Sequence, residues 1–307
     1  MTKPLLAFLA AASMACTAAA QPFAFQRRTD SVAFTSAGRT VWQFHFGKQR
    51  PVPHFYPVCL LDGTVLTDLG PKDHPHHHSL WFAWNKLNGV DYWSEPDAGR
   101  TQVAECRVST GKNSARFQMK LDYVPPAGDP VLTERRTIVV SAPDNQGRYF
   151  IDWRGEFVAG KEPVHMKGGT AGGGYAGLSV RIAQTTHEWR IIDSEGREDI
   201  AEGDFARNTH GKRAKWMDFS VTDKATGKQG GIAILEHPSS FRHPSQWHNL
   251  INPKTPFGYF SPATLWSEPY DLAAGKTLMV YYRIVVHPGR PGREAIEREW
   301  EKFSAQD

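Results

Sequence analysis

From residue 21 onward the chain consists largely of short segments rich in β-branched and aromatic residues, each bounded by Gly, Pro, Asn or Asp. Segments of this kind are typical of β-strands, and the short turns between them favour antiparallel pairing. The pattern predicts strands at residues 41–46, 115–123, 136–140, 149–153, 178–183, 231–235 and 278–286.

Helical periodicity is sustained only near the C-terminus. Ile296, Trp300 and Phe303 recur on one face of residues 293–303, and charged residues occupy the other positions. This spacing predicts an amphipathic helix that packs on the sheet. No linker-like segment divides the chain, so we expect residues 21–307 to form a single all-β domain, a large antiparallel β-sandwich with a C-terminal helix.

The first twenty residues have the features of a secretory signal peptide. Lys3 provides a positive charge, residues 5–15 form an apolar run too short to cross a bilayer, and the alanines at 18–20 offer a cleavage site. A lipoprotein signal, with Cys16 as the modified residue, is the alternative interpretation. We therefore expect a periplasmic or secreted protein with no membrane span after residue 20.

Charge and a glycine-rich motif bear on nucleic-acid and nucleotide binding, and the cysteines bear on disulfide formation. The formal net charge is +4, and basic residues are scattered among acidic ones, so the sequence does not predict a nucleic-acid partner. Cys59 and Cys106 could pair in an oxidising compartment or remain buried thiols. Residues 172–177 fit the pattern G-x-G-x-x-G, but a predicted strand follows them where nucleotide binding requires a helix.

Four of the five residues from position 74 to position 78 are histidine, namely His74, His76, His77 and His78. Histidine titrates near neutral pH and is the commonest metal ligand. In an extended segment, the first, second and last of these side chains would point one way and His77 the other. Asp73 or another carboxylate could fix the tautomer of an imidazole in this group.

A second group of polar and aromatic residues lies between positions 236 and 248. It contains Glu236, His237, Arg242, His243, Trp247 and His248. Glu236 ends a predicted strand, and the guanidinium of Arg242 could pair with a carboxylate. The flat faces of Trp247 and Trp266 suit the C–H face of a sugar ring as well as they suit a core. Arg181 lies inside an apolar strand and needs an anionic or carbonyl partner if it is buried.

Four longer motifs are spread over nearly the whole chain after residue 20. They are Gly70-Pro-Lys-Asp-His-Pro-His-His-His-Ser-Leu-Trp-Phe82, Glu236-His-Pro through Trp247-His248, Phe257-Gly-Tyr-Phe-Ser-Pro262 and Tyr281-Tyr-Arg-Ile-Val-Val-His287. In combination they resemble the family known as PmoA-like, or "methane oxygenase PmoA". His78 stands where that family more often has Arg, so no role of that Arg is carried over.

The resemblance implies, more loosely, a galactose-mutarotase-like supersandwich. Proteins of that architecture include sugar epimerases, polysaccharide lyases and sugar-binding domains, and the fold alone does not decide among them. Methane oxidation is not expected, because the chain has no predicted membrane-spanning segment beyond the signal peptide.

Three functional hypotheses follow from these residues. The first is an exported carbohydrate-active enzyme, of the epimerase, lyase or hydrolase type, in which an acid and a base act across a sugar ring. The second uses the same histidines to bind Zn²⁺ or another divalent ion. The third is a non-catalytic sugar-binding module. All three expect a small-molecule or oligosaccharide ligand in one cavity shared by the two histidine groups.

The first hypothesis assigns roles to particular residues. The predicted catalytic residues are His76, His77, His78, Glu236 and His248, and the predicted substrate-binding residues are His74, Arg181, Arg242, His243, Trp247 and Trp266.

Overall fold

The computed structural model describes residues 23–94, 99–169, 174–200 and 208–306. The predicted signal peptide lies outside these ranges, as do Gly172 and Gly173 of the glycine-rich motif. The strand that was predicted to follow this motif is present at Gly177–Ile182.

The described residues form twenty-one strands and one helix. The strands are β1 (Ala24–Arg27), β2 (Ser31–Ser36), β3 (Arg39–His45), β4 (His54–Val58), β5 (Leu80–Ala83), β6 (Lys86–Leu87), β7 (Val90–Asp91), β8 (Arg100–Thr110), β9 (Ser114–Val124), β10 (Leu132–Ser141), β11 (Tyr149–Ala159), β12 (Val164–Lys167), β13 (Gly177–Ile182), β14 (Thr186–Asp193), β15 (Glu198–Ile200), β16 (Trp216–Asp223), β17 (Gln229–Glu236), β18 (Trp247–Asn252), β19 (Phe257–Pro262), β20 (Tyr270–Leu272) and β21 (Thr277–Pro288). The helix is α1 (Arg293–Ser304). Each of the seven predicted segments coincides with or overlaps a strand, and α1 confirms the predicted helix.

Two large sheets build the sandwich. One has eight strands in the order β1-β2-β3-β4-β5-β13-β19-β18, and the other has nine in the order β15-β14-β16-β17-β21-β11-β10-β9-β8. A four-stranded sheet has the order β20-β12-β6-β7. All strand pairs of the described residues are antiparallel. The predicted large antiparallel β-sandwich is therefore confirmed.

The core lies between the two large sheets. Along β9 every second side chain is buried, and along β11 the same alternation places Ile151, Trp153 and Phe157 inside. Phe44 of the facing sheet packs against Phe117, with ring centroids 4.8 Å apart. Because side chains alternate across a strand, the period-two pattern of the sequence translates directly into one buried and one solvent-facing side.

Helix α1 covers part of the other side of the nine-stranded sheet. Ile296 and Phe303 are buried there against Trp216 and Leu235, and Trp300 is partly buried beside them. These three helical residues are the ones that the sequence placed on one face. The helix contacts β16 and β17, so no helix of the described residues covers β8 to β10.

The outer side of the eight-stranded sheet has a different character. In β13, Leu178, Val180 and Ile182 belong to the main core, whereas Ser179 and Arg181 alternate with them and so point to the opposite side. A separate aromatic cluster that includes Trp81 and Tyr259 covers that side. Polar and aromatic side chains thus meet on one outer sheet face, which positions the site described below.

The two cysteines do not pair. Cys59 is buried, Cys106 is partly buried, and both are free thiols. Burial raises the pKa of Cys59 to about 12 and that of Cys106 to about 11. Of the two alternatives drawn from the sequence, the structure has the unpaired thiols.

Candidate functional site

A cavity of about 280 Å³ opens on the outer side of the eight-stranded sheet. It is lined by residues from four parts of the chain: His74, His76 and His77, then Trp93 and Ser94, then Tyr175, and finally His248, Leu250, Phe257 and Tyr259. The first histidine group and His248 of the second group therefore share one cavity. Aromatic rings and imidazoles make up most of its wall.

The histidine loop between β4 and β5 is not extended, in contrast to the alternation considered from the sequence. The backbone N–H of His74 donates to the carbonyl of Pro71, and the N–H of His77 donates to the carbonyl of His74, so two consecutive turns form. Pro75 occupies the second position of the latter turn, where its fixed φ favours turn formation.

These turns bring His74, His76 and His77 together. Their rings lie 4.6 to 5.7 Å apart between centroids. His78, the last histidine of the run, instead points towards His54 and Trp81, with centroid distances of 5.3 and 6.2 Å. The turns therefore separate His78 from the three imidazoles that line the cavity.

His77 forms part of the cavity floor and is only 4% exposed. Its ring lies 5.3 Å from those of both Trp81 and Tyr259. Burial lowers the pKa of His77 to about 2, with neighbouring histidines and Arg181 acting in the same direction. The imidazole is therefore neutral at physiological pH, with one donor and one acceptor nitrogen.

Asp73 links His74 to Arg181. Its Oδ2 lies 3.0 Å from Nδ1 of His74 and accepts a hydrogen bond of 2.6 Å from Nη2 of Arg181. Partial burial would raise the pKa of Asp73, but the hydrogen bonds from Arg181 and His74 outweigh this effect, and the pKa is lowered. The carboxylate that the sequence suggested as a tautomer-fixing partner thus contacts His74.

Arg181 is completely buried on the site side of β13. Its guanidinium pairs with Asp73 and lies 4.0 Å from the centroid of the Phe257 ring. The prediction that a buried Arg181 needs an anionic partner is confirmed by this pair. Arg181 itself does not line the cavity, and its hydrogen bond to Asp73 joins it to the carboxylate that contacts His74.

Strands β18 and β19 supply a further part of the cavity wall. His248 is 5% exposed, and its ring lies 5.6 Å from Tyr259, 5.5 Å from Tyr175 and 5.7 Å from Trp266. Tyr259 contacts both His77 and His248, so its ring joins the two histidine groups at the floor of the cavity. Trp266 lies beside His248 and packs edge-on against His210 at 5.0 Å.

A row of imidazoles continues away from the cavity along the same sheet side. His45 stacks on His54 at 5.1 Å, and His54 contacts His78 at 5.3 Å. Nδ1 of His54 lies 3.0 Å from the carbonyl oxygen of Val52. Burial lowers the pKa of His54 to about 3 and also lowers that of His45.

Besides His78, four of the predicted site residues lie away from this cavity. Both carboxylate oxygens of Glu236 accept hydrogen bonds from Ser245, and His243 lies beside them at 3.3 Å. Arg242 donates to the carbonyl oxygens of three residues, 264, 268 and 269. Trp247 is fully buried and donates to the carbonyl of residue 214.

These four residues lie away from the cavity because of the path of the chain. Strand β17 belongs to the nine-stranded sheet and β18 to the eight-stranded sheet, so the segment between them crosses the sandwich. Glu236 therefore remains at the end of one sheet while His248 reaches the other. His237 packs against Tyr281 and Phe303, and its Nε2 lies 2.9 Å from the carbonyl oxygen of Gln306.

Several lining residues were not proposed from the sequence, namely Trp93, Tyr175, Leu250, Phe257 and Tyr259. The alternation within β19 contains part of the signal, because Phe257 and Tyr259 are two positions apart and share a side. Tyr175 and Trp93 lie outside strands, and no periodic pattern marks them.

The described residues contain no group of three or more His, Cys, Asp or Glu side chains placed to hold a metal ion. The pairs that do approach, such as Asp73 and His74, contact each other through Oδ2 and Nδ1. Metal binding by these histidines remains an alternative hypothesis with its own test.

Comparison with known proteins identifies the family. A family model described as "Family of unknown function (DUF6807)" matches residues 31–301. The chain belongs to this family. No curated protein matches the sequence. The resemblance to the PmoA-like family stays a prediction.

A solved structure with a TM-score above 0.5 shows the fold. A structure named "putative aldose 1-epimerase", from Klebsiella pneumoniae, has a TM-score of 0.51 and 9% identity, covering 93% of this chain and 89% of that one. The galactosidase domain of an alpha-galactosidase-sucrose kinase has a TM-score of 0.46 and 8% identity, covering 86% of this chain. The chain spans only 40% of that second structure. The predicted galactose-mutarotase-like sandwich is confirmed, and identities this low show the fold alone.

Within the part of the chain that the structure describes, no helix has the length and apolar character needed to cross a bilayer.

Proposed function

We propose that this protein is an exported carbohydrate-active enzyme that performs acid–base chemistry on a sugar bound in the cavity. The observation that carries the proposal is the shared cavity itself, which is lined by the Asp73-linked His74, by His248 and by several aromatic side chains. A base and an acid on two sides of one pocket are what proton transfer across a sugar ring requires.

The wall composition supports a sugar as the ligand. Trp93, Tyr175, Phe257 and Tyr259 offer flat apolar faces, and the imidazoles between them offer single donors and acceptors. The volume of about 280 Å³ is at the small end of ligand pockets, which suits one ring better than a long oligosaccharide.

His74 is the best placed general base. When its Nδ1–H donates to Asp73, its Nε2 has a free lone pair that can accept a proton. Asp73 would also stabilise the imidazolium that forms, and Arg181 fixes the carboxylate in position. His248 is then the partner that returns a proton from the other wall.

His77 has a different role in this proposal. With a pKa near 2 it holds no second proton at neutral pH, so it cannot serve as the acid. A neutral, buried imidazole instead suits hydrogen bonding to a sugar hydroxyl. His76 lines the cavity edge and is assigned to ligand contact.

The described lining includes no Asp or Glu side chain. Glycoside hydrolysis by the common mechanisms requires two carboxyl groups across the scissile bond. Proton-transfer reactions, such as anomer interconversion or epimerisation, therefore have more support than hydrolysis. The fold likeness to a structure named as an aldose 1-epimerase makes anomer interconversion the first reaction to test.

The test is exchange NMR on a panel of aldoses with purified, tag-free protein. We expect faster interconversion of the two anomers of at least one sugar, and a loss of about 100-fold or more in His74→Ala and in His248→Ala. The matched control is His187→Ala, an exposed histidine on β14 of the other sheet, which should keep full activity. Undiminished activity in the double variant His74→Ala/His248→Ala would refute the assignment.

Two alternatives have distinct outcomes. A sugar-binding module would bind the same sugars by calorimetry without any chemical change in the NMR spectra. A metal-dependent enzyme would contain a stoichiometric divalent ion by elemental analysis and would lose activity with a chelator. Export is tested separately by N-terminal sequencing of the protein after expression with residues 1–20 present.

A further inference from the structure

The uncovered part of the nine-stranded sheet carries a second surface that the proposed function does not use. Two adjoining hollows of about 430 and 450 Å³ lie on the side of β8 to β11 that faces away from the core. They share Thr137, Arg154 and Glu156, so they form one continuous groove across the strands. We call it the β8–β11 groove.

The groove gathers basic residues that are scattered in the sequence. Arg107, Arg116, Lys120 and Arg135 are all exposed and line it, and no ion pair joins any of the four to another described residue. Two further arginines nearby are already neutralised, since Arg154 pairs with Glu156 at 3.4 Å and Arg283 with Asp152 at 2.6 Å.

One carboxylate in the groove, that of Glu105, is also without an ion pair among the described residues. Four unneutralised cations against this one anion leave an excess of three positive charges. Such a concentration attracts anionic ligands over several ångströms.

The strand register places two like charges side by side in the groove. Lys120 of β9 and Arg135 of β10 are directly opposite each other in the sheet. Like charges at directly opposite positions destabilise a sheet. Glu105 of β8 is opposite Lys120 and Glu156 of β11 is opposite Arg135, so a carboxylate flanks each cation within the sheet, and a ligand anion would add to these contacts.

The spacing fits an extended ligand with several charges. Arg107 pairs with Gln118, Gln118 with Thr137 and Thr137 with Arg154 across four neighbouring strands. With strands about 4.8 Å apart, this row is roughly 14 Å long. It has Arg107 at one end, Arg154 with its partner Glu156 at the other, and an amide and a hydroxyl between them.

We propose that the β8–β11 groove binds an acidic oligosaccharide through Arg107, Lys120 and Arg135, with Gln118 and Thr137 contacting its hydroxyl groups. Tyr281 is the only aromatic side chain among the described lining residues, which disfavours single-stranded nucleic acid, because that ligand depends on base stacking. The exposed large apolar side chains of the described residues, Phe23 and Ile200, do not line the groove, which disfavours insertion into a membrane.

The test compares two probes that differ only in charge. Binding of a galacturonic acid hexamer to the full chain is measured by calorimetry at about 0.05 M salt, beside the same hexamer with its carboxylates methyl-esterified. We expect binding of the acidic hexamer alone, with affinity that falls steeply as salt rises to about 0.5 M.

The variant Arg107→Gln/Lys120→Gln/Arg135→Gln should weaken binding about tenfold or more. These side chains are exposed and make no ion pairs with other described residues, so the fold should persist. The matched control Lys48→Gln/Lys86→Gln/Arg298→Gln removes the same charge from exposed positions outside the groove and should bind like the unchanged protein.

Four results would each overturn the proposal. They are no binding at low salt, equal binding of the esterified hexamer, equal weakening in both triple variants, and tighter binding of a single-stranded oligonucleotide or of phosphatidylglycerol vesicles than of the acidic hexamer. Anomer exchange at the cavity does not involve the groove residues, so the groove variant should leave that activity unchanged. Failure of one proposal is therefore distinguishable from failure of the other.

Discussion

His54 should make the protein sensitive to acid. It is 1% exposed, stacks between His45 and His78, and has a pKa of about 3 because burial disfavours its charged form. In the unfolded chain its pKa returns to 6.5. The unfolded state therefore takes up a proton first as the pH falls, so the stabilisation is complete above pH 6.5 and declines towards pH 3.

The magnitude follows from these two values. At about pH 4 the unfolded histidine is protonated whereas the folded one is still largely neutral, and the free energy of unfolding is lower by about 3 kcal/mol than at about pH 8. Below pH 3 the folded histidine also binds a proton, and the loss levels off at about 5 kcal/mol. Whole domains are stabilised by about 5–15 kcal/mol, so one histidine is a large part of the total.

The assay is urea denaturation of the unchanged protein and of His54→Asn across this pH range, followed by tryptophan fluorescence. The Asn amide can still donate to the Val52 carbonyl but does not titrate. The difference in unfolding free energy between the two proteins should shift by about 3 kcal/mol between about pH 8 and pH 4. His187→Asn, at an exposed position, should run parallel to the unchanged protein. Parallel curves for His54→Asn, within about 1 kcal/mol, would show that the reasoning about burial is wrong.

Three further predictions concern buried groups. Glu134→Ala leaves the fully buried Arg136 without its partner at 2.6 Å and should lower the free energy of unfolding by about 3–5 kcal/mol in urea denaturation, whereas Glu134→Leu combined with Arg136→Met should cost far less. Phe303→Ala should lower the free energy of unfolding by about 3–5 kcal/mol, measured the same way, because it leaves a cavity where α1 packs on the sheet. Cys59 and Cys106 should resist iodoacetamide in the native protein at about pH 8 and react in urea, followed by mass spectrometry, since their raised pKa values keep both thiols protonated.

Strands and the helix could be predicted because each has its own short-range spacing of apolar residues in the sequence. The alternation in residues 115–123 needs no distant information to indicate a strand, and the spacing of Ile296, Trp300 and Phe303 indicates a helix in the same way. The histidine loop was harder. Its four imidazoles indicated a candidate site, but only the two turns of residues 71–77 decided that His78 points away from the other three.

Closeness in sequence misled most between positions 236 and 248. Glu236 and His243 were grouped with His248 because twelve residues or fewer separate them, yet the segment crosses from one sheet to the other. The charge pattern was limited in the same way. Arg107, Lys120 and Arg135 are isolated in the sequence and become neighbours only through the pairing of β8, β9 and β10.

The sequence by itself determined seven of the strands, the helix with its buried face, and three neighbouring histidines that line the cavity, because these depend on residue type and short-range spacing. Tertiary structure alone decided which sheet each strand joined, that Tyr259 contacts both His77 and His248, and that Arg181 binds the Asp73 carboxylate that contacts His74. Those contacts join residues far apart along the chain. Their geometry is set by strand order and register, which a single sequence does not encode in any local pattern.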